Sequence, residues 1–346
     1  MTVETDVSPE PQPAPAKARS RKSQVITWGR RLLLVAVVVG AGYYLATRWN
    51  EVWETLSAVP WHSAVLSMVA VIAGILLSTV AWQSIVDDLG SPIGKVRGSQ
   101  IYLVSQLGKY VPGAVWAYVL QMELGKKAGI PRARMFVSSL VQLGVAVVAS
   151  LLLGLLALPK LMEKAPGAVW LYALLPFGLA ALHPKVMTWG VNLVLRLLRK
   201  APLRHPLHWR TIAKTLVYTT LSYVLFGTHL WLLATTGGTP DLSVLMLCVG
   251  ALAVGLTAGV FFFILPSGAG VRDLLIAVAL APAVGPTGGL AFAVASRAMF
   301  TVADVGTAGV AALVAKLRPP EDLSHTVDSP PPPVDGGESV PGSTPE

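Results

Sequence analysis

Residues 261–281 read FFFILPSGAGVRDLLIAVALA. Phe261 to Leu265 ends an uncharged run that begins at Leu242, and Leu274 to Ala281 is apolar again. Between them stand Pro266, Gly268, Gly270, Arg272 and Asp273. An apolar run of about 20 residues can cross a bilayer as a helix, and lipid offers no hydrogen bond to a backbone that leaves the helix. A proline, two glycines and two charges at that place therefore mark a broken segment that faces protein or a polar cavity.

Composition puts the rest of the chain in the same environment. Hydrophobic residues make up 53% and charged residues 13%, with a mean hydropathy of +0.62. A soluble globule carries about 25% charged residues. No long segment outside the apolar runs has globular composition, so no substantial soluble domain is expected. Cys248 is the single cysteine, which excludes an intramolecular disulfide. Residues 1–24 are too polar for a signal peptide, and Leu32 to Ala46 reads as an uncleaved first span. The expected organisation is a disordered basic tail over 1–28, a membrane domain over 29–318, and a disordered Pro-rich acidic tail over 319–346.

Continuous spans are expected near 30–47, 63–86, 136–158, 167–183, 211–236 and 287–315, with two further segments, 98–123 and 242–284, that are broken. Charge orients them. Arg48, Lys160 and Lys164 fall on one side, and Lys109, Arg272 and Arg297 lie inside apolar segments. Every other Lys and Arg of the 27 lies in the N-terminal tail, the 87–97 and 124–134 loops, the 185–214 stretch or residues 316–318. That bias assigns those stretches, and both termini, to the cytoplasmic side of a multi-pass plasma-membrane protein. The basic residues are scattered over loops with no nucleic-acid-binding module, so the net charge of +9 reflects topology.

The loops before and after 98–123 are both basic, so this segment is expected to enter and leave on one side, turning at Val111-Pro112-Gly113. Its first arm is too short to cross: about 12 residues rise roughly 18 Å in a core of about 30 Å. The second broken segment turns at Pro266 to Gly270. Pro112, Pro131 and Gln142 are spaced much as Pro266, Pro286 and Arg297 are. The fold expected is an all-α polytopic membrane helix bundle with two broken, re-entrant helical hairpins in an inverted-repeat arrangement. Prolines that simply mark loops between spans give the same spacing.

Lys109, Arg272, Asp273, Arg297 and Asp304 each cost about 2.5–3.5 kcal/mol at a helix centre unless they face a cavity, a partner or the interface. Arg297 and Asp304 are two turns apart on one helical face, which suits a shared polar cavity. One reading is structural: ion pairs such as Arg272 with Asp304, or Arg297 with Asp273. Lys109 could also snorkel to the interface. The functional reading is an anion site. A glycine-rich turn opening a half-helix presents backbone N–H groups beside Arg272 in PSGAGVRD and beside Lys109 in KYVPGAVW. With Arg297, three cations and two helix N-termini would converge on a lipid phosphate. Neither elbow is a nucleotide-binding loop, and neither a cofactor nor a metal is expected.

Elsewhere, Asp87-Asp88 reads as a solvated span end or a metal site, Glu123 as a partner for Lys126 or Lys127, and His229 as a hydrogen-bonded packing histidine or a proton relay. Gly255 and Gly259 indicate close helix packing. Trp49, Trp53 and Trp61 read as interface anchors, and 185–200 as an amphipathic helix on the inner leaflet.

QLGKYVPGAVWAYVLQMELGKKAGI at 106–130, LPSGAGVRDLLIAVAL at 265–280 and ASRAMFTVAD at 295–304 resemble the lysylphosphatidylglycerol synthase transmembrane region, or flippase-like, family. Tyr110, Pro112, Gly113, Pro266, Gly268, Gly270, Arg272 and Arg297 carry the likeness, and Asp273 stands where members commonly have Glu. The resemblance covers about 30–318 and implies a bundle linked to moving lipids between leaflets. The aminoacyl-transferring domain of the bifunctional members has no counterpart in this sequence. The expected function is a non-enzymatic translocase for an anionic phospholipid or a polyprenyl-phosphate-linked lipid. The substrate would be held by Lys109, Tyr110, Arg272, Arg297 and the elbows, with Asp273 and Asp304 pairing the arginines in the empty state or coupling to protons. Its expected partners are membrane lipids and envelope-lipid synthesis enzymes. A membrane glycosyltransferase using polyprenyl-phosphate sugars and a non-transporting scaffold are the alternatives.

Overall fold

A computed structural model describes residues 47, 49–111, 115–157, 173, 175–197, 199, 202–203, 207–234, 241–261, 268 and 270–317. The expected span 30–47 apart from its last residue, residues 167–172 and 174 of the span 167–183, both tails, Pro112, Gly113 and Pro266 lie outside the described residues. The helices are α1 (Trp49–Ser57), α2 (Trp61–Asp88), α3 (Lys95–Gln106), a 3-10 turn (Leu107–Tyr110), α4 (Trp116–Lys127), α5 (Arg132–Gly154), α6 (Leu175–Ala181), α7 (Pro184–Leu197), α8 (Trp209–Ala234), α9 (Leu242–Phe261) and α10 (Val271–Leu317). No strand occurs among the described residues. Five of these helices, α2, α5, α8, α9 and α10, are long and apolar enough to cross a bilayer. The chain is an all-α polytopic bundle.

Small residues set how closely the spans pack. α2 and α8 form the most extensive helix pair. Gly74 leaves room for the ring of Phe226, and the Ser222 hydroxyl donates to the Gly74 carbonyl at 2.7 Å. α8 meets α9 where Gly227 faces the Val249 backbone; a Cβ there would come within 2.3 Å of the Val249 Cα. Lipid tails are as apolar as the side chains, so such backbone approach and interhelical hydrogen bonds are what distinguish helix contact from lipid contact.

The two broken segments have related forms. In the first, α3 tightens into the 3-10 turn and α4 packs back against both. In the second, α9 is followed by Gly268 and Gly270, both at positive φ, and α10 then begins. Gly259 sits against Gly268 and Gly255 against Arg272, so the glycine pair on α9 does serve close packing, with the start of α10 as its partner. Each broken segment leads to a long helix near a proline: Pro131 N-caps α5, and Pro286 follows Gly285. Here the structure corrects one expectation. No loop separates 242–284 from 287–315; helix α10 runs through, kinked at Gly285 (φ 76°, ψ 162°). Proline tolerates that position because the first turn of a helical limb has no intrahelical use for its missing N–H.

Helix α7 lies where the amphipathic stretch was expected. Val191 and Leu195 are buried in a cluster with α5, while Trp189 and Leu197 stand 67% and 75% exposed. Its polar stripe is occupied: Asn192 Oδ1 accepts the Leu203 N–H at 2.9 Å and Thr188 Oγ1 the Leu207 N–H at 3.1 Å. An exposed apolar face on such a helix is what an interfacial position requires. Trp49, Trp53 and Trp61 are likewise exposed.

Candidate functional site

The first hairpin delivers Lys109 and Tyr110. Gly108 is pressed on the start of α4, where a Cβ would lie 2.6 Å from the Ala117 nitrogen. That approach aims the next two side chains at the second limb of α10. Lys109 Nζ lies 2.7 Å from Asp304 Oδ2, and the Tyr110 hydroxyl donates to the same oxygen at 2.6 Å. Asp304 is buried, so a paired cation and a second donor are what make its charge tolerable.

The second hairpin delivers Arg272. Along the first limb of α10, Arg272, Ile276 and Leu280 recur at i, i+4 and i+8 and are all buried, while Leu274 and Val278 on the other side are exposed. The guanidinium stacks on Phe300 with its carbon 4.3 Å from the ring centroid. Its Nη2 donates to Ser296 Oγ at 3.1 Å, and its Nε has no hydrogen-bond partner among the described residues. Stacking of this kind is worth about 2 kcal/mol when desolvated, yet it supplies no counter-charge. Among the described residues no carboxylate pairs with Arg272 directly.

A buried relay of hydrogen bonds holds Arg272 from behind. Ser296 Oγ lies 3.0 Å from His229 Nε2, and His229 Nδ1 meets Ser67 Oγ at 2.5 Å. Ser67 in turn donates to the His229 carbonyl at 3.0 Å. His229 is thus a packing histidine bonded at both nitrogens, fixing α2, α8 and α10 around the arginine.

Asp273 and Arg297 form a separate pair. Asp273 Oδ2 accepts the Gly270 N–H at 3.1 Å, capping the start of α10, and the carboxylate lies 3.2 Å from Arg297 Nε. Asp273 and Arg297 are on no wall of the cavity described next. The inward stripe of the second limb is Ser296, Phe300 and Asp304, and Arg297 stands one residue off it, so its long side chain reaches back to the first limb instead.

Between the two hairpins lies a cavity of about 250 Å³. Lys109, Gln106 and Tyr102 line it from the first hairpin, and Gly259, Gly268 and Arg272 from the second, with Phe300 and Asp304 from the far limb of α10. The remaining walls carry neutral polar groups. Gln121 comes from α4, Ser139 and Gln142 from α5, and Thr219 and Tyr223 from α8. Of these the sequence marks only Gln142, by its spacing from Pro112 and Pro131; the others do not stand out because hydroxyls and amides in a span are cheap and common. Their signal was periodicity: Ser139 with Gln142, Tyr118 with Gln121, and Thr219 with Tyr223 each share a helix face.

Of the residues singled out from sequence, the structure gathers Lys109, Tyr110, Gly268, Arg272 and Asp304 at this cavity; Gly270 caps α10 through Asp273. Outside it, both Glu123 carboxylate oxygens accept from Arg132 Nη2, at 2.6 and 2.8 Å, so the direct partner is Arg132, with the expected Lys126 and Lys127 attracting the carboxylate from farther off. The turn at 128–131 folds the start of α5 back beside α4, and a planar guanidinium fits both carboxylate oxygens, holding the Glu123 carboxyl below its usual range. Asp88 accepts the backbone N–H and the ring Nδ1 of His208 at 3.0 and 2.6 Å, tying α2 to the start of α8.

The Lys109–Asp304 contact gives a first prediction. Asp304→Asn leaves Lys109 without its counter-charge and should lower stability by about 2–4 kcal/mol. Lys109→Met alone should cost less, because Tyr110 still donates to the carboxylate. The double variant should recover part of the loss, giving a coupling of about 1–3 kcal/mol in a double-mutant cycle of unfolding in detergent.

A search of curated proteins finds no match. The family model described as the lysylphosphatidylglycerol synthase TM region matches residues 31–304, from the first apolar run to the aspartate on the cavity wall. That range contains both hairpins, every wall of the cavity and the Arg272 cradle, and the chain belongs to the lysylphosphatidylglycerol synthase TM region family.

Proposed function

We infer that the chain is a lipid translocase of the plasma membrane, moving a phosphate-bearing lipid between leaflets without chemistry on it. One observation carries the reading. A buried arginine that no carboxylate pairs with directly, among the described residues, faces a cavity enclosed by two broken hairpins. A buried cation without a direct counter-charge is expensive, and intramembrane ionisable residues of that kind default to function. A lipid phosphate is the anion that reaches such a depth.

On this reading the two hairpins are re-entrant, enter from opposite faces with both termini cytoplasmic, and part to admit the head group while the acyl or prenyl chains stay in the bilayer. Phosphate binds Arg272. Asp304 keeps Lys109 and Asp273 keeps Arg297, with and without the ligand, so the free charge of the cavity is that of Arg272. Energy comes from a gradient, or from envelope-lipid enzymes that consume the lipid on the receiving side.

The test is leaflet exchange of labelled lipids in vesicles holding the purified full chain. Exchange of a phosphate lipid at a rate proportional to protein copies per vesicle is the expected result. Well-folded protein that accelerates no lipid, anionic, zwitterionic or polyprenyl-phosphate-linked, would return the chain to the role of a scaffold.

A further inference from the structure

We propose that the cavity reads its ligand's head group as well as its phosphate, and selects lipid phosphodiesters with a neutral, polyhydroxylated head group. The inference rests on the translocase reading for its lipid and on the cavity walls for its selectivity.

Charge is the first argument. The ionisable cations and acids on the walls are Lys109, Arg272 and Asp304, a net charge of +1 among the described residues. A phosphodiester carries one negative charge and leaves this cavity neutral. A zwitterionic lipid brings an amine as well as its phosphate and leaves it at +1. The one acid on the described walls that could meet an amine already accepts from Lys109 and Tyr110. An aminoacyl or ethanolamine head group therefore finds no counter-anion.

Hydrogen-bonding capacity is the second. Gln121 and Thr219, on walls contributed by α4 and α8, are buried with the Gln121 amide nitrogen and the Thr219 hydroxyl lacking any partner among the described residues. Ser139 Oγ lies 2.6 Å from the Gln121 side-chain carbonyl, on the far side of the amide from its unpartnered nitrogen. An unmade bond in a buried site costs about 1–3 kcal/mol, so walls of this kind are completed by a ligand that both donates and accepts. Hydroxyls do both; an ammonium only donates. Size agrees. About 250 Å³ falls below the roughly 300–1,000 Å³ of pockets that enclose a whole drug-sized ligand, and fits a head group whose tails remain outside.

The experiment is competition for the purified full chain in lipid nanodiscs, read by native mass spectrometry of the lipids retained. The probes are phosphatidylglycerol, phosphatidylinositol, phosphatidylethanolamine and phosphatidic acid at equal abundance. Retention of the two polyol lipids at least fivefold above both others is expected. Thr219→Val and Gln121→Leu should bring that ratio towards one, and Thr219→Ser should keep it. Equal retention of phosphatidylglycerol and phosphatidic acid in the wild type would overturn the proposal without recourse to any variant, as would preference for the ethanolamine lipid. A ratio that survives both variants, which would mean that water alone completes these walls, would overturn it too. Displacement of retained lipid by excess glycerol 3-phosphate would overturn the lipid assignment in favour of a soluble polyol phosphate. Selective retention with no leaflet exchange removes the translocase and leaves the head-group site; exchange without selectivity does the reverse.

Discussion

Arg272→Ala is expected to abolish protein-dependent leaflet exchange, by about 100-fold or more, while the protein remains as stable as the wild type. Both halves follow from the same geometry. The side chain is 4% exposed, stacked on Phe300, bonded once to Ser296 and short of a partner at Nε. A desolvated, charge-assisted bond to phosphate is worth about 3 kcal/mol, which is the factor of about 100. Against that, burying a guanidinium costs several kcal/mol, and one neutral hydrogen bond with one stacking contact offsets only part of it. Arg272→Met, close in length and uncharged, should therefore unfold at the same temperature as the wild type or a higher one. Arg272→Lys keeps the charge but loses the stacked planar fork and should retain about a tenth of the exchange. Thermal unfolding in detergent beside the exchange assay separates the two roles. Structural glue predicts that Arg272→Met falls apart; a phosphate site predicts a sound protein that moves nothing.

The second large effect is on the fold. Gly268→Ala should lower stability by about 3 kcal/mol or more. Gly268 has φ 64°, and a Cβ there would sit 2.5 Å from the Gly259 Cα, a backbone atom that cannot swing aside. The left-handed conformation costs an L-residue about 1–2 kcal/mol, and the overlap forces α9 and the start of α10 apart for the rest. Gly90→Ala supplies the control. Gly90 has φ 77°, but an added Cβ would meet nothing within 4 Å. Only the conformational part, about 1 kcal/mol, should appear there. The difference between the two variants measures the packing of the second hairpin. Because Arg272 is carried on the first turn after that elbow, Gly268→Ala should also depress exchange beyond what its stability loss explains.

Much of this site is legible in the chain alone. The apolar runs mark the spans at α2, α5, α8 and α9 because a bilayer enforces length and hydropathy on anything that crosses it. The interruptions KYVPG and PSGAGVRD stand out for the same reason: glycine, proline and charge have no use in lipid and so mark the places where a cavity lies. Pro286 reads as a loop where the helix only kinks, since proline N-terminal to a helical limb looks alike in both cases.

Pairing is not legible in the same way. Of the two pairs the sequence offers, Arg297 with Asp273 forms, but Arg272 with Asp304 does not: Asp304 is claimed by Lys109 and Tyr110 from a segment nearly two hundred positions away in the chain. The neutral wall of Gln121, Ser139, Gln142 and Thr219 is invisible as a group, because several helices contribute to that cavity and each offers only one or two residues. Residue order is enough to make this chain a membrane bundle with two breaks and charges beside them, since those are properties of local segments tested against a uniform solvent. Which charge meets which, and which arginine no described carboxylate meets directly, was settled by folding. Ion pairing depends on distances of a few ångströms between helices, and no local pattern encodes the contacts that set them.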